Sequence, residues 1–463
     1  MSESARTRLA HATPASYWLD SVENAAKFQR FTGSHSCDLG IIGAGFTGLW
    51  TALLARKRYP DKRIVVLEAS TCGAQASGRN GGFCAPSISH GVGNALKRWP
   101  KEAETLIRLG RQNLDELHQD VEALGLDVEF ERQGKLNVAT MPWQIDGLKA
   151  MAQNLKRFGI SCTYLEGEAL YEKLNSPAYK AGVFEDNYAL LNPAKMVHEL
   201  RRVCLAQGVE IYEHSKVLSL SEKPDAIYLE TGLGQLKATE LVLATNIFTG
   251  LLPALSSKVI PIYDYALVTE PLTGQELNSI GWTRRYGIAD AGNQFHYFRK
   301  TADNRILWGG YDAIYPYASK LSEELCQRPE TFVKLSEQFA QTFPQLAHVN
   351  FSHAWGGIID SSARTTLFAG LKGKRIAYAL GFTGQGVSAT RFAANTLLDL
   401  LAGNKTERTE LSMLRRTPVM FPPEPLRYTA VTLAQKGLAH EDATGHRNLL
   451  LRTMDAFGVG FDS

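Results

Sequence analysis

The run Gly43-Ala44-Gly45-Phe46-Thr47-Gly48 stands between a strand-like segment, Asp38–Ile42, and a helical one, Phe46–Tyr59. Its form is G-x-G-x-x-G, a pattern that is weak alone and informative in the right setting. Here the setting is complete. After the short connection Tyr59-Pro60-Asp61-Lys62, a second apolar strand, Arg63–Glu68, ends on an acid twenty residues past Gly48. The order strand, glycine turn, helix, strand is a βαβ unit, which dictates parallel strands. In such a unit Gly43 permits the tight turn, Gly45 lets the backbone approach a pyrophosphate, and Gly48 allows close helix–strand packing. The helix start offers unpaired N–H groups and a positive dipole end to phosphates. Glu68 accepts from both ribose hydroxyls and disfavours a 2′-phosphate. The segment is therefore expected to bind a dinucleotide.

A chain of 463 residues exceeds what one core usually supports, so two associated domains are expected. Helices are predicted over Ala103–Leu124, Trp143–Phe158, Ala194–Gln207, Glu330–Phe343 and Val387–Leu401. Strands are predicted at Lys135–Thr140, Glu210–Tyr212, Val217–Ser221, Ala226–Glu230, Leu241–Ala244 and Arg375–Ala379. An aromatic-rich section lies between Val259 and Tyr311, with strands at Tyr263–Val268, Phe295–Phe298 and Ile306–Trp308. Strand–glycine turn–helix units thus open and close the chain around an antiparallel-looking middle. The expected division is a discontinuous nucleotide domain over 36–100, 185–255 and 350–415, with a second domain over 101–184 and 256–349. Residues 1–35 form an arm and 416–463 a helical strap, read as a cover over the body or a homo-oligomer contact without chemistry.

Composition narrows the function classes. A net charge of +3, without a Lys/Arg run, gives no support for nucleic-acid binding. The six cysteines are scattered, with no CxxC and no metal-type spacing, so free thiols in a reducing cytoplasm are expected and no metal site. Met1–Ala10 holds two arginines and no apolar core, so no secretory signal is expected. Leu39–Ala55 approaches the length of a membrane span, but it contains the glycine turn and reads as a buried strand and helix. No transmembrane segment is expected.

Two further stretches decide which dinucleotide. Gly73-Ala74-Gln75-Ala76-Ser77-Gly78-Arg79-Asn80-Gly81-Gly82-Phe83 would let the backbone run past an extended cofactor, with Arg79 offsetting phosphate charge. Gly381-Phe382-Thr383-Gly384-Gln385-Gly386-Val387-Ser388 precedes a C-terminal helix and would aim a second helix start at a flavin ring. With these motifs, and with Val65-Val66-Leu67-Glu68-Ala69, Leu243-Ala244-Thr245-Asn246 and Trp355-Gly356-Gly357, the chain resembles the D-amino-acid-oxidase-like superfamily of FAD enzymes over most of residues 36–405. The Ser-Gly-Arg-Asn-Gly-Gly form looks most like its gamma-glutamylputrescine oxidoreductase and aminophosphonate oxidoreductase branches. The resemblance implies an α/β, glutathione-reductase-2-like fold. In it a Rossmann-type FAD domain carries an interleaved substrate domain on a mixed or antiparallel sheet. It also implies adenine contacts from Val217, and cofactor contacts from Thr245, Asn246, Gly357, Gly381 and the Gly384–Val387 turn.

No second G-x-G-x-x-G follows a later strand, so electrons are expected to enter from an organic substrate. They would leave to oxygen, a quinone or an electron carrier. Within the aromatic section strand alternation puts Tyr263 and Tyr265 on one face, and His296 with Phe298 on one face with Tyr297 opposite. Aromatic rings there would cage a cationic amine. No acid–base constellation stands out, so the catalytic residues are left open. Set against the sarcosine-oxidase subgroup of the family, Trp308 aligns with an oxygen-activating lysine, Asp312 with a histidine, and Ser388 with a lysine that binds substrate carboxylate. The flavin-linking cysteine of that subgroup has no counterpart near Gly356-Gly357, which implies non-covalent FAD. The expected substrate contacts are Tyr263, Tyr265, His296, Trp308 and Asp312. The reading that follows is an FAD-dependent oxidoreductase acting on a small polyamine-type or gamma-glutamyl amine. An amino-acid or aminophosphonate dehydrogenase is the alternative, and a flavin-dependent tRNA-modifying protein is a remote one.

Overall fold

The strand that carries the glycine turn is longer than its apolar core. It runs over Gly33–Ile42 because Gly33–Cys37 pair in parallel with Gly234–Ala238, and Leu39–Ile42 continue against Glu240–Leu243. Side chains Leu39, Ile41 and Ile42 are buried from both faces, as a parallel strand flanked by helices requires. Around it an eight-stranded sheet has the order 368–372, 376–380, 234–243, 33–42, 64–67, 210–212, with 227–231 added antiparallel on the 234–243 strand and 217–222 antiparallel on 227–231. The computed structural model describes residues 3–22, 28–458 and 460.

Helix Phe46–Arg58 packs on this sheet with Phe46 to Ala55 all buried, so the long apolar stretch is a buried strand and helix. Among the described residues no helix is long and apolar enough to cross a membrane. Beside it lies the Gly386–Leu401 helix, whose buried Arg391 binds Glu116 and Asp120 at 2.6 and 2.7 Å. Those acids sit on the Ala103–Ala123 helix, so a segment assigned by sequence to the second domain rests on the nucleotide side.

The second eight-stranded sheet has the order 351–362, 259–269, 306–310, 296–300, 287–290, 135–139, 181–185, 162–166. All pairs are antiparallel except 287–290 with 135–139. Its edge strand, Phe351–Ser362, lies wholly past the boundary expected at 350, and the chain rejoins the first sheet only at Phe368. Its Trp355-Gly356-Gly357 segment pairs with Ala266, Tyr265 and Asp264. Behind this sheet the Pro329–Thr342 helix buries Phe332, Leu335 and Phe339. The α/β architecture is therefore two mixed sheets, the first carrying the Phe46–Arg58 and Gly386–Leu401 helices and the second backed by the Pro329–Thr342 helix.

Candidate functional site

The first wall of the site is the glycine turn. Gly43 has φ +101°, and a Cβ there would lie 2.5 Å from Ala244 O. A Cβ on Gly48 would sit 1.8 Å from Gly43 O, so the helix meets its strand only with glycine. The Glu68 carboxylate accepts from Ala44 N at 2.7 Å and Ser70 N at 2.9 Å, while burial pushes its pKa upward. Ser77 Oγ accepts from Phe46 N at 2.9 Å, which ties the Ala76–Arg79 turn to the helix start. Asn80 then holds the next turn, donating to Ala76 O and Ser77 O and accepting from Gly82 N.

The second wall is the Gly381–Val387 turn before the Gly386–Leu401 helix. Gly381 and Gly384 have φ +76° and +81°, the left-handed region that glycine tolerates. An acid that no sequence motif flagged organises this turn. Asp360, at the end of the second sheet's edge strand, accepts from Gly381 N at 2.6 Å and Phe382 N at 3.1 Å. Burial pushes its pKa up to about 7. It pins the nucleotide-side turn to the opposite sheet.

Between these walls and the second sheet lies one continuous cavity of about 1960 Å³. That is roughly twice the upper end of ordinary ligand sites, about 300–1,000 Å³. Gly43, Gly45, Phe46, Thr47, Glu68, Ala69, Ser77, Arg79, Asn80, Gly81, Val217, Thr245, Asn246, Gly357, Gly384, Gln385, Gly386 and Val387 all line it. Of the other motif residues, Gly48, Gly78, Gly82 and Gly381 make close packing against backbone or side chains instead, and Ala44 serves Glu68. Arg79 is already engaged: its guanidinium donates to Ala74 O and pairs with Glu323 at 2.7 Å. The buried Gln385 Oε1 has no hydrogen-bond partner among the described residues. An elongated dinucleotide matches the two helix starts, the Glu68 carboxylate and this orphaned acceptor.

The sheet wall differs from the sequence expectation. Pairing sets Ala266, Gly309, Tyr297, Ala289 and Asn137 in one row across five strands. Of these, Ala266, Tyr297, Ala289 and Asn137 line the cavity. The neighbouring row, Leu267, Trp308, Phe298, Ile288 and Leu136, is fully buried on the other side. Tyr263, His296 and Trp308 belong with that far side and do not line the cavity. Tyr263 hydroxyl donates to Lys320 O, and His296 bonds Asp290 at 2.6 Å and Gln338 at 3.1 Å while stacking on Trp308 at 4.4 Å. Tyr265 is among the residues lining the cavity, with its hydroxyl turned to Leu325 O. Asp312 lines the cavity yet is held by Lys334 at 3.0 Å, Thr331 at 2.9 Å and Arg328 at 3.3 Å. Because side chains alternate along a strand, the residues between the expected ones face the site.

Those residues are Asp264 and Tyr297. Tyr297 hydroxyl donates to Asp264 Oδ2 at 2.6 Å, and its ring lies against Gly309 and Gly81, where any Cβ would come within 3 Å. Burial raises the Asp264 pKa to about 6, offset by the Tyr297 hydrogen bond. A single acid inside the apolar strand Val259–Thr269 was the available signal, since an unneeded buried carboxylate is costly. Farther along, Lys135 and Glu185 face each other across paired strands on the same wall. The C-terminal stretch also contributes. Its Leu426–Thr444 helix lends Arg427, Gln435 and Leu438 to the cavity wall, and Asp442 accepts from Asn293 N and Gln294 N at 2.8 and 2.7 Å.

Comparison with known proteins places this architecture. The chain is 27% identical over 398 residues to a probable oxidoreductase OrdL of Haemophilus influenzae, spanning 84% of this chain and 88% of the relative. It is also 27% identical over 395 residues to the gamma-glutamylputrescine oxidoreductase of Escherichia coli, spanning 84% and 89%. The structure of glycine oxidase from Geobacillus kaustophilus superposes with a TM-score of 0.69 at 18% identity, covering 82% of this chain and 99% of that one. A profile of the FAD dependent oxidoreductase (DAO) family matches residues 38–400, and the chain belongs to that family of flavoenzymes.

Proposed function

We propose that this chain oxidises the C–N bond of a small amine with non-covalently held FAD. The observation that carries the reading is the single cavity, which joins the glycine turn and both helix starts to the sheet face bearing Asp264. In this reading the amides at Gly45–Thr47 hold the pyrophosphate, Glu68 the ribose, Val217 the adenine side, and the Gly384–Val387 turn the ring system. Bound FAD supplies a hydride acceptor at its N5. The protein's own work is to position the amine, exclude water and hold charge near the reacting carbon. The substrate leaves as an imine, and water hydrolyses it to an aldehyde or keto compound plus amine or ammonia.

Support for an amine comes from the name of the Escherichia coli relative and from the anionic sheet wall. Support for non-covalent attachment comes from the cysteines, which are free and absent from the cavity lining. Oxygen, a quinone or a carrier protein takes the electrons onward. The test is anaerobic addition of polyamines, gamma-glutamylated amines, N-methyl amino acids, D-amino acids and aminophosphonates to the purified yellow protein. Bleaching by an amine is expected, with flavin released on acid precipitation. A flavin that no amine reduces would sink the reading. Peroxide formation against dye reduction then separates oxidase from dehydrogenase.

A further inference from the structure

We infer that Asp264, positioned by the Tyr297 hydroxyl, is the anchor for the substrate's ammonium group, and that the enzyme selects cationic amines carrying no carboxylate on the oxidised carbon. The inference rests on the amine reading above and adds a recognition group and a substrate class to it.

Three observations carry it. The first is placement. Asp264 lies one step along its strand from the cavity-facing row that begins at Ala266, on a strand otherwise apolar, and lines the cavity with Ala266 and Gly357 beside it. Small neighbours on its own and the adjoining strand leave room for a substrate at the carboxylate. The second is construction. Gly81 and Gly309 clear the space that the Tyr297 ring fills, and the ring delivers its hydroxyl to Oδ2 at 2.6 Å. Tyr297 is the one side chain hydrogen-bonded to that carboxylate among the described residues, so no lysine or arginine neutralises it. A buried anion without a cation is expensive, and it is tolerated where a cationic ligand completes it.

The third observation is the sign of the surroundings. The charged group acting on Asp264 is Asp312, on the segment that follows the adjoining strand, itself paired to Lys334 and Arg328 and hydrogen-bonded by Thr331. Arg299, two strands away, is buried and spends its guanidinium on Leu191 O, stacked over Trp18. Lys135 faces Glu185 three strands away from Asp264's strand neighbour. A carboxylate bonded to the reacting carbon would thus meet the Asp264 anion, while of the arginines on the cavity wall Arg427 donates to Pro422 O and Ser319 Oγ and Arg79 pairs with Glu323. Repulsion of this kind separates amines from α-amino acids more sharply than added attraction does.

Full-length, FAD-loaded enzyme tests this with Asp264→Asn and Tyr297→Phe, read by anaerobic flavin titration and stopped-flow reduction with a linear diamine and with glycine. Wild type is expected to prefer the diamine at least 100-fold in kcat/KM. Asp264→Asn is expected to lose about 100-fold for the diamine, mostly in binding, with FAD content and melting temperature unchanged. The wild-type kcat/KM for the diamine should fall as pH drops through about 6, because protonation discharges the anchor. Tyr297→Phe removes the bond that favours the anion and should move that limb upward in pH. Undiminished diamine turnover by Asp264→Asn, or glycine turnover equal to diamine turnover by wild type, overturns the anchor while leaving amine oxidation intact. A wild-type flavin that no amine reduces overturns both.

Discussion

The two faces of the second sheet are built from the same strands and do opposite things. On the far face Trp308 packs on Phe339 of the Pro329–Thr342 helix and Phe298 on Phe343 just past it, Tyr263 is buried with its hydroxyl on Lys320 O, and His296 stacks between Trp308 and Tyr311 with both ring nitrogens bonded. On the near face glycine and alanine alternate with Asp264, Tyr297 and Asn137 along a cavity. Bulk marks the core, and the small residues mark the site. The aromatic richness that draws the eye in the sequence is mostly the packing of one domain, since large rings stabilise a core by contact area and by ring–ring geometry.

The comparison breaks most sharply where a residue cannot be replaced at all. Gly48→Val places side-chain atoms on Gly43 O, so the expected outcome is apoprotein or aggregate. Absorbance at the flavin band against protein content checks this, and a yellow, stable Gly48→Val enzyme would show that the helix start does not need that approach.

Next in size is Trp308→Ala on the far face. Emptying so large a buried site should destabilise by about 3–5 kcal/mol, while turnover per bound flavin changes by less than a few-fold. Thermal melting together with kcat reads both quantities. A kcat collapse without loss of stability would return Trp308 to the site.

Asp360→Ala should cost about 1–3 kcal/mol by leaving Gly381 N and Phe382 N without their acceptor, and FAD affinity should fall with it. Its raised pKa has a further consequence. The protonated form favours the fold, so this contribution is complete below the ordinary value of 3.8 and fades as pH rises through about 7. Asp360→Asn should flatten that slope in melting temperature against pH. An unchanged slope assigns the dependence elsewhere.

The smallest effect is expected from His296→Asn, which loses the Asp290 and Gln338 contacts at about 1–2 kcal/mol and leaves kcat unaltered. A shifted pH–rate profile in that variant would contradict its packing role.

Much of the nucleotide side was legible because its chemistry is local. Gly43, Gly45 and Gly48 act within one turn, and Glu68 is reached through a single helix, so spacing along the chain stands in for distance. Asp264 was hidden for a different reason. Alternation separates Tyr263 and Tyr265 from Asp264, yet says nothing about which set faces inward, and one residue of register exchanges them. The expectation of a domain boundary near 350 failed to anticipate the Phe351–Ser362 strand because that strand belongs to the second sheet only through its partner, Val259–Thr269.

What the amino-acid sequence determined alone is the βαβ cradle, the acid that closes it, the second glycine turn and, through these, a flavin dinucleotide enzyme. The tertiary structure decided which side of the second sheet meets the cavity, that Asp360 ties the far turn across to it, and that the C-terminal helix walls the site. The physical reason is range: backbone turns obey short-range sterics, whereas the facing of a strand is settled by the pairing and packing of residues a hundred positions away.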